Sequence, residues 1–431
     1  MDSILQSKLE LSHSSFEAWR SVTYDERKAL FSNLSQLLKD RTEEYGKIIT
    51  TEMHKPITQS KAEVNKCAKM VDFYLDGANI LEPEKVDSKY DFSEIRYTPK
   101  GVILGVMPWN FPFWQVLRFA TPTILAGNTV ILKHASICFG SGESIEQLFL
   151  DAGFPKGIFQ NLKIGHAEVE EVLAHPAVQG VSLTGSEGAG SKVASIAGKN
   201  LKKSLLELGG SDAFIVLEDA DFDKAAEVGA LARLQNCGQT CVAAKRFIVH
   251  KNCQSQFLDK LITEFDKYKP ADPFDEATIY SGMAREDLAD ELEKQYNKAV
   301  EDGAMVLLPL KRISSNEFLP GLLLVNEGNP ILKEELFGPV GMVLIADSEE
   351  HALQIANNIP YGLSNSVWTK TPQKQEYFIH NLESSTVNIN KMTSSEPKFP
   401  FGGTKASGYG TELSLYALKE FVTLKTVMGY K

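Results

Sequence analysis

Apolar residues fall into two patterns along the chain, short continuous runs and longer stretches with helical spacing. Residues 14–80 are helical in pattern, with amphipathic stretches such as ERKALFSNLSQLLKDRTEEYGKIITTEM. From residue 100 to 208, short apolar runs typical of buried strands alternate with helical stretches. The predicted elements of this series are the strands GVILGV, NTVILK, VQGVSL and KSLLEL, and helices near 140–151 and from about 188. The alternation predicts an α/β fold with a doubly wound parallel sheet.

A second alternating series follows Gly209 and Gly210. Its predicted strands are AFIVL, KRFIVH, GPVGMVLIA and STVNIN, and its predicted helices cover 222–235 and 253–268. Residues 81–99 are polar and partly alternating, which is typical of a protruding hairpin or arm. The pattern therefore predicts a change of domain near Gly209–Gly210.

The stretch 101–132 is apolar enough to be taken for a membrane span, because Arg118 is its single charge. Three prolines, at 108, 112 and 122, and Asn110 interrupt it. Since proline breaks a helix interior, we predict instead a buried strand, a rigid loop, a buried helix and a second strand.

The amino-acid composition makes several kinds of binding partner and site less favourable for this protein. The 431 residues include 56 acidic and 45 basic side chains, a net charge of −11, which disfavours nucleic acids and anionic membranes as partners. The first twenty residues carry charges and no long apolar run, so we expect no signal peptide. Five scattered cysteines without a CxxC pair predict reduced thiols in a cytoplasmic protein, and eight scattered histidines without HExxH predict no metal site.

Three residues are candidates for nucleophilic and acid–base chemistry. Cys241 follows a predicted helix that ends in Asn-Cys-Gly, on a loop where backbone N–H groups can activate a thiol. Glu207 ends an apolar strand, where burial would raise its pKa and suit it to general base catalysis. Asn110, held between prolines in PWNFP, is suited to donate to an oxyanion. The structural alternatives are a buried core cysteine, a glutamate paired at a domain boundary and a turn asparagine.

The order of the motifs is more specific than any one of them. The turn SLTGSEGAG follows a strand and opens a helix, as a phosphate-binding turn does, although it lacks the GxGxxG fingerprint. With it occur, in order, PWNFP, GNTVILK, ELGG, NCGQTC, EELFGPV and PFGGTKASGYG. Together they resemble the aldehyde dehydrogenase superfamily over nearly the whole chain. LKHAS, ELGGSDAFIVLEDAD and CVAAKRFIV most resemble its short bacterial NAD(P)-dependent succinate-semialdehyde dehydrogenases.

This resemblance implies an aldehyde dehydrogenase-like architecture. We expect a Rossmann-like cofactor domain formed by 1–80 and 99–208, and an αβ catalytic domain formed by 209–403. Residues 81–98 and 411–431 are expected to form a β-arm that exchanges strands between subunits, in a homodimer or homotetramer. The strand pair that usually precedes the family's first helix is absent here.

The resemblance also implies roles for individual residues. Cys241 would attack the aldehyde to give a thiohemiacetal and then a thioester, Asn110 would hold the oxyanion, and Glu207 would activate the hydrolytic water. The residues implied in cofactor binding are Trp109, Lys133, Ser136, Thr184, Gly185, Ser186, Leu208, Glu335 and Phe337.

One position bears on the choice of cofactor. Members of the family that prefer NAD often carry an acid three residues after the lysine that corresponds to Lys133, where it bonds the ribose 2′-hydroxyl and repels a 2′-phosphate. Ser136 occupies that position here. We therefore expect NADP to be accepted, alongside NAD.

The substrate is indicated by Arg118, eight residues after Asn110. An arginine in such apolar surroundings needs a partner, either a buried acid or a carboxylate of the substrate. In relatives acting on succinate semialdehyde a matching arginine binds the distal carboxylate, so we predict a carboxylate-bearing aldehyde. The longer enzymes carry a second arginine where this chain has Gln235. Ser394, Ser395 and Lys398 are candidates to compensate.

Other functions remain open at this point. An enzyme that transfers the acyl group to coenzyme A would generally lack Glu207, and one for amino- or betaine-aldehydes would not need Arg118. Broader aldehyde specificity, or a non-catalytic protein on this scaffold, are further alternatives. Cys237, one helical turn before Cys241, is either a structural cysteine or its partner in a reversible disulfide.

Overall fold

Helices and strands alternate through most of the chain in the computed structural model, which describes residues 3–431. In chain order they are α1 (Ser3–Trp19), α2 (Tyr24–Asp40), α3 (Thr42–Met53), α4 (Ile57–Asp76), β1 (Glu84–Lys85), β2 (Phe92–Pro99), β3 (Val102–Met107), α5 (Trp114–Leu125), β4 (Thr129–His134), α6 (Phe139–Asp151), β5 (Phe159–Leu162), α7 (Glu168–Ala174), β6 (Val178–Thr184), α8 (Glu187–Lys199), β7 (Lys203–Glu207), β8 (Ala213–Val216), α9 (Phe222–Leu234), β9 (Arg246–His250), α10 (Gln254–Phe265), α11 (Glu286–Glu301), β10 (Met305–Leu308), β11 (Lys311–Arg312), β12 (Phe318–Leu319), β13 (Gly321–Leu324), β14 (Val340–Ala346), α12 (Glu349–Asn357), β15 (Tyr361–Gly362), β16 (Ser364–Trp368), α13 (Pro372–Asn381), β17 (Thr386–Ile389), β18 (Thr404–Lys405), β19 (Gly408–Tyr409) and β20 (Val422–Gly429).

The first large sheet has the strand order β19-β7-β6-β3-β4-β5. Five of its strands run parallel to one another, namely β7, β6, β3, β4 and β5. The edge strand β19 is antiparallel to β7. All of β4 and nearly all of β3 are buried, as expected for a parallel sheet covered by helices on both faces. The predicted doubly wound α/β class is confirmed.

The second sheet has the order β10-β13-β14-β9-β8-β16-β17, with β10 the antiparallel edge strand. The chain leaves the first sheet at Glu207 and enters the second at Ala213, on either side of Gly209–Gly210. A small third sheet joins β1, β2 and β20, and β2 pairs with β20 along eight residues. The division of the chain into three domains with the stated boundaries remains a prediction.

The apolar stretch 101–132 folds as predicted, into β3, a loop, α5 and β4. Every residue of α5 is buried, as expected for a helix within so apolar a stretch. Among the described residues, no helix is both long enough and apolar enough to cross a membrane.

Other element predictions were less accurate. Helix α1 begins at Ser3 rather than near residue 14, because Leu5 and Leu9, one turn apart, pack against the first sheet. Helix α10 ends at Phe265, before the predicted residue 268. Helices α11 to α13 were not predicted, since they are short or rich in charged residues.

A buried ion pair fixes the start of α5 against α4. The Lys55 ammonium lies 2.5 Å from Glu63, and both side chains are at most 2% exposed. The other carboxylate oxygen of Glu63 accepts the N–H groups of Phe113 and Trp114 at 2.9 and 3.0 Å. Glu63 therefore satisfies donors that the first turn of a helix cannot pair internally.

We predict that Glu63→Ala lowers the midpoint of thermal unfolding, because it leaves a buried ammonium and two buried N–H groups without a partner. Removing one member of a buried pair costs roughly 3–5 kcal/mol, a shift of about 5 °C or more. Differential scanning calorimetry measures it, with Glu43→Ala as the matched control at an exposed ion pair. Equal midpoints for the two variants would contradict the prediction.

Candidate active site

Two cavities meet at Cys241. The first, of about 180 Å³, is lined by Arg118, Gln235 and the segment 392–395 among others. The second, of about 240 Å³, is lined by Trp109, Thr184 and Phe337 among others. Cys241 and Gln115 line both, and Asn110 lines the second. The thiol is therefore accessible from two directions.

The loop that carries Cys241 makes an unusually sharp turn after α9. Asn236 and Cys237 both have left-handed backbone conformations, with φ of 53° and 54°, and Gly238 follows with φ of 74°. A Cβ at Gly238 would lie 2.6 Å from the carbonyl carbon of Gly338, so only glycine fits there. The segment is locally strained, and strain of this kind clusters at functional sites.

Hydrogen bonds join this loop to the one that carries Asn110. The Asn236 side-chain amide donates to the Asn110 carbonyl at 2.9 Å, and the Asn110 amide donates to the Gln239 carbonyl at 3.0 Å. The Asn110 Oδ1 atom is buried without a partner. These bonds fix Asn110 and Cys241 relative to each other.

Lys245, which was not identified from the sequence, stabilises the loop that carries Cys241. Its buried ammonium donates to the carbonyls of Thr240 and Cys241, at 3.0 and 2.6 Å, and pairs with Glu335 at 2.7 Å. Burial raises the pKa of the Cys241 thiol to about 11, against the opposing effects of Lys245 and Arg118. The thiol is thus mainly protonated at neutral pH in the protein alone.

Glu207 lies at the end of β7, behind the cavity walls. It lines neither cavity, and its Oε1 atom is buried without a hydrogen-bond partner. Burial and the neighbouring Glu412 carboxylate raise its pKa well above the usual value, while Arg118 opposes the shift. A carboxyl group in such surroundings is a stronger base once ionised, as general base catalysis needs.

Arg118 pairs with a buried acid, the structural alternative considered from the sequence. Its guanidinium forms an ion pair with Glu412, and both side chains are only 2% exposed. It also lies over the Phe401 ring, 4.8 Å from the centroid. The same arginine lines the first cavity, and its Nη2 atom has no hydrogen-bond partner. The ion pair therefore leaves a buried N–H donor of the guanidinium without a hydrogen-bond partner.

Ser394, Ser395 and Gln235 line the first cavity with Arg118, while Lys398 does not. Sequence reasoning missed Lys66 on α4, which lines the same cavity. Lys66 lies at helical spacing from Glu63 and Met70, but the burial of these two residues, which marks that face, is seen only in the structure.

Most of the residues predicted to bind the cofactor line the second cavity. They are Trp109, Thr184, Gly185, Ser186, Leu208, Glu335 and Phe337. The hydroxyl of Thr184 is buried without a partner, and the rings of Trp109 and Phe337 meet edge to face with centroids 5.7 Å apart. Ser186 caps α8, whose first N–H groups suit an anion. This set fits a ligand with both flat rings and phosphates.

Lys133 and Ser136 lie apart from this cavity, at and just after the end of β4. Burial lowers the pKa of Lys133, and Ser136 is exposed.

Cys237 is buried with its thiol 3.5 Å from the Tyr280 hydroxyl, and its pairing with Cys241 remains a prediction. Within residues 3–431, no group of three or more His, Cys, Asp or Glu side chains could hold a metal ion.

Comparison with known proteins agrees with this geometry. A probable succinate-semialdehyde dehydrogenase (NADP(+)) of Synechocystis sp. is 42% identical over 98% of this chain and 94% of its own length. A succinate-semialdehyde dehydrogenase (NADP(+)) of Deinococcus radiodurans is 39% identical over 98% of this chain and 89% of its own.

Solved structures extend the comparison to the fold. The succinic semialdehyde dehydrogenase of Streptococcus pyogenes, in complex with NADP+, superposes with a TM-score of 0.97 at 36% identity, over 100% of this chain and 96% of the other. The profile of the Aldehyde dehydrogenase family matches residues 5–427. The predicted family is confirmed, and the chain belongs to the aldehyde dehydrogenase family.

Proposed function

We propose that the protein oxidises succinate semialdehyde to succinate, using NADP or NAD. The observation that carries the proposal is the meeting of two cavities at Cys241, one with the Arg118 guanidinium in its wall and one suited to a dinucleotide. The names of the relatives support both the substrate and the use of NADP.

Cys241 forms the covalent bond to the substrate. The thiol first gives its proton to solvent water, and the resulting thiolate attacks the aldehyde carbon to give a thiohemiacetal oxyanion. The Cys241 N–H donates no hydrogen bond to the other described residues, so it is free to stabilise this oxygen. The Asn110 amide has a second N–H besides the one bonded to Gln239, and it supplies the other donor.

Glu207 acts after the acyl group has formed on Cys241. When bound, the nicotinamide supplies the hydride acceptor that turns the thiohemiacetal into a thioester. Glu207 takes a proton from the water that attacks this thioester, and its raised pKa favours that transfer. Because Glu207 lies behind the cavity wall, its side chain must move toward Cys241 to do so.

Substrate selection rests on charge. Arg118 lines the first cavity and has an N–H donor without a partner, with which it binds the carboxylate that distinguishes succinate semialdehyde from a simple aldehyde. The neutral, exposed Ser136 leaves room for a 2′-phosphate near Lys133, which supports the use of NADP. A homodimer or homotetramer in the cytoplasm stays a prediction.

Three alternatives are less well supported. Transfer of the acyl group to coenzyme A would not need the buried Glu207, and amino- or betaine-aldehydes would meet two cations in the first cavity. A non-catalytic role leaves unexplained why Asn110 and Cys241 are held together by hydrogen bonds beside two cavities.

Initial rates of nicotinamide reduction test the proposal. Succinate semialdehyde and butyraldehyde are compared, each with NADP and with NAD, and Cys241→Ala serves as the blank. We expect a strong preference for the acid aldehyde, absent from the blank, and an NADP rate above about a hundredth of the NAD rate. Activity on butyraldehyde alone would contradict the substrate, and no activity on either would favour the non-catalytic alternative.

The Arg118→Ala variant distinguishes a role of Arg118 in substrate binding from a role in maintaining the fold. We expect the KM for succinate semialdehyde to rise roughly tenfold or more, because charged hydrogen bonds are lost, and the KM for butyraldehyde to change less than about threefold. Glu412→Gln is the matched control, since it removes the ion pair and keeps the guanidinium. Equal effects of Arg118→Ala on both aldehydes would show that the arginine only maintains the fold.

The pKa of Cys241 predicts a pH dependence in the protein without cofactor. Only the thiolate reacts with iodoacetamide, so the alkylation rate rises about tenfold per pH unit from pH 7 to 10, below the pKa of about 11. Mass spectrometry of the labelled peptide measures it, and Cys241→Ala controls for the four other, buried cysteines. A rate that levels off below pH 8 would refute the prediction.

A further inference from the structure

The first cavity contains a second cation, Lys66 of α4. Its ammonium lies 4.0 Å from the ring centroid of Trp114 and donates to the Ser395 hydroxyl at 2.8 Å. It lines the same cavity as Arg118 and Cys241. Helix α4 and the segment around Ser395 thus place a positive charge in the wall of this cavity.

The two cations of this cavity differ in whether a neighbouring carboxylate neutralises them. Arg118 is neutralised by Glu412, whereas Lys66 has no carboxylate within 4.0 Å among residues 3–431. The nearby acids are already engaged: Glu63 pairs with Lys55, and Glu396 pairs with Lys391 at 3.0 Å. A partly buried ammonium without a counter-ion carries a desolvation cost, and an entering anion would reduce that cost.

One acid, Glu63, also lines this cavity, and it is paired with Lys55. Gln235 is neutral and lines the cavity as well. Ser394 and Ser395 offer hydroxyl groups beside it. Burial, followed by the repulsion of Arg118, lowers the pKa of Lys66 to about 8, so the side chain remains mainly charged at pH 7.

We propose that Lys66 binds the carboxylate of the aldehyde substrate together with Arg118, and so determines specificity. The inference rests on the proposed function, because it needs a substrate with a carboxylate. Lys66 supplies a second positive charge in this cavity besides that of Arg118. Ser395, hydrogen-bonded to Lys66, holds the ammonium toward the cavity.

Steady-state kinetics at pH 7 test this role. Lys66→Met keeps the apolar stem over Trp114 and removes the charge, whereas Lys66→Arg keeps the charge. For Lys66→Met we expect the KM for succinate semialdehyde to rise about tenfold, with kcat and the KM for butyraldehyde within about threefold. Lys66→Arg is expected to restore most of the affinity. Lys69→Met, at an exposed lysine one turn away on α4, is the matched control and should change neither KM.

Binding of succinate, the product, gives a readout that needs no turnover. Isothermal titration calorimetry should find succinate bound about tenfold more weakly by Lys66→Met than by the wild-type protein and by Lys69→Met. An equal change in KM for both aldehydes, or unchanged succinate binding, would overturn the role of Lys66 while leaving the proposed function intact. A wild-type protein without preference for succinate semialdehyde would overturn both.

Discussion

The ion pair between Arg118 and Glu412 is the interaction on which the charge balance of the site depends. It joins α5, which leaves the Asn110 loop, to the segment that follows β19, and both side chains are buried. Arg118 opposes the rise in the pKa of Glu207, Glu412 and Cys241, and contributes to lowering that of Lys66. One guanidinium thus influences the pKa values of the proposed base Glu207, the proposed nucleophile Cys241 and the second cation of the first cavity, Lys66.

This arrangement explains how a buried charge can serve both structure and binding. Without Glu412, a guanidinium in the apolar wall would carry a large desolvation cost. With it, Arg118 is held in place, and its Nη2 atom has no hydrogen-bond partner in the protein. In the proposed function the pair orients the arginine before the substrate arrives, which reduces the entropy lost on binding.

Contiguous motifs made much of the molecule predictable from its sequence. PWNFP, ELGG and NCGQTC each fix one local turn, and they placed Asn110, Glu207 and Cys241 at the ends of elements. Alternation of strands and helices likewise predicted the first sheet. Lys66, Lys245 and Glu412 escaped notice because their meaning comes from contacts with residues far along the chain. Their local sequences resemble those of ordinary charged surface positions.

Arg118 was identified from the sequence, but the sequence alone did not determine which group it binds. Its isolation in an apolar stretch predicted a partner, but not whether that partner was an acid of the protein or of the substrate. The fold supplies Glu412, and the cavity leaves room for a substrate carboxylate as well. Glu207 was correctly expected to be buried, yet its place behind the cavity wall could not be inferred from ELGG.

A crystal structure of Cys241→Ala with succinate semialdehyde and NADP bound would show whether two ligands reach residue 241 from separate cavities. We expect the carboxylate within hydrogen-bond distance of Arg118 and Lys66, and the nicotinamide between Trp109 and Glu335. A carboxylate turned away from both cations, or an aldehyde group remote from residue 241, would contradict this expectation.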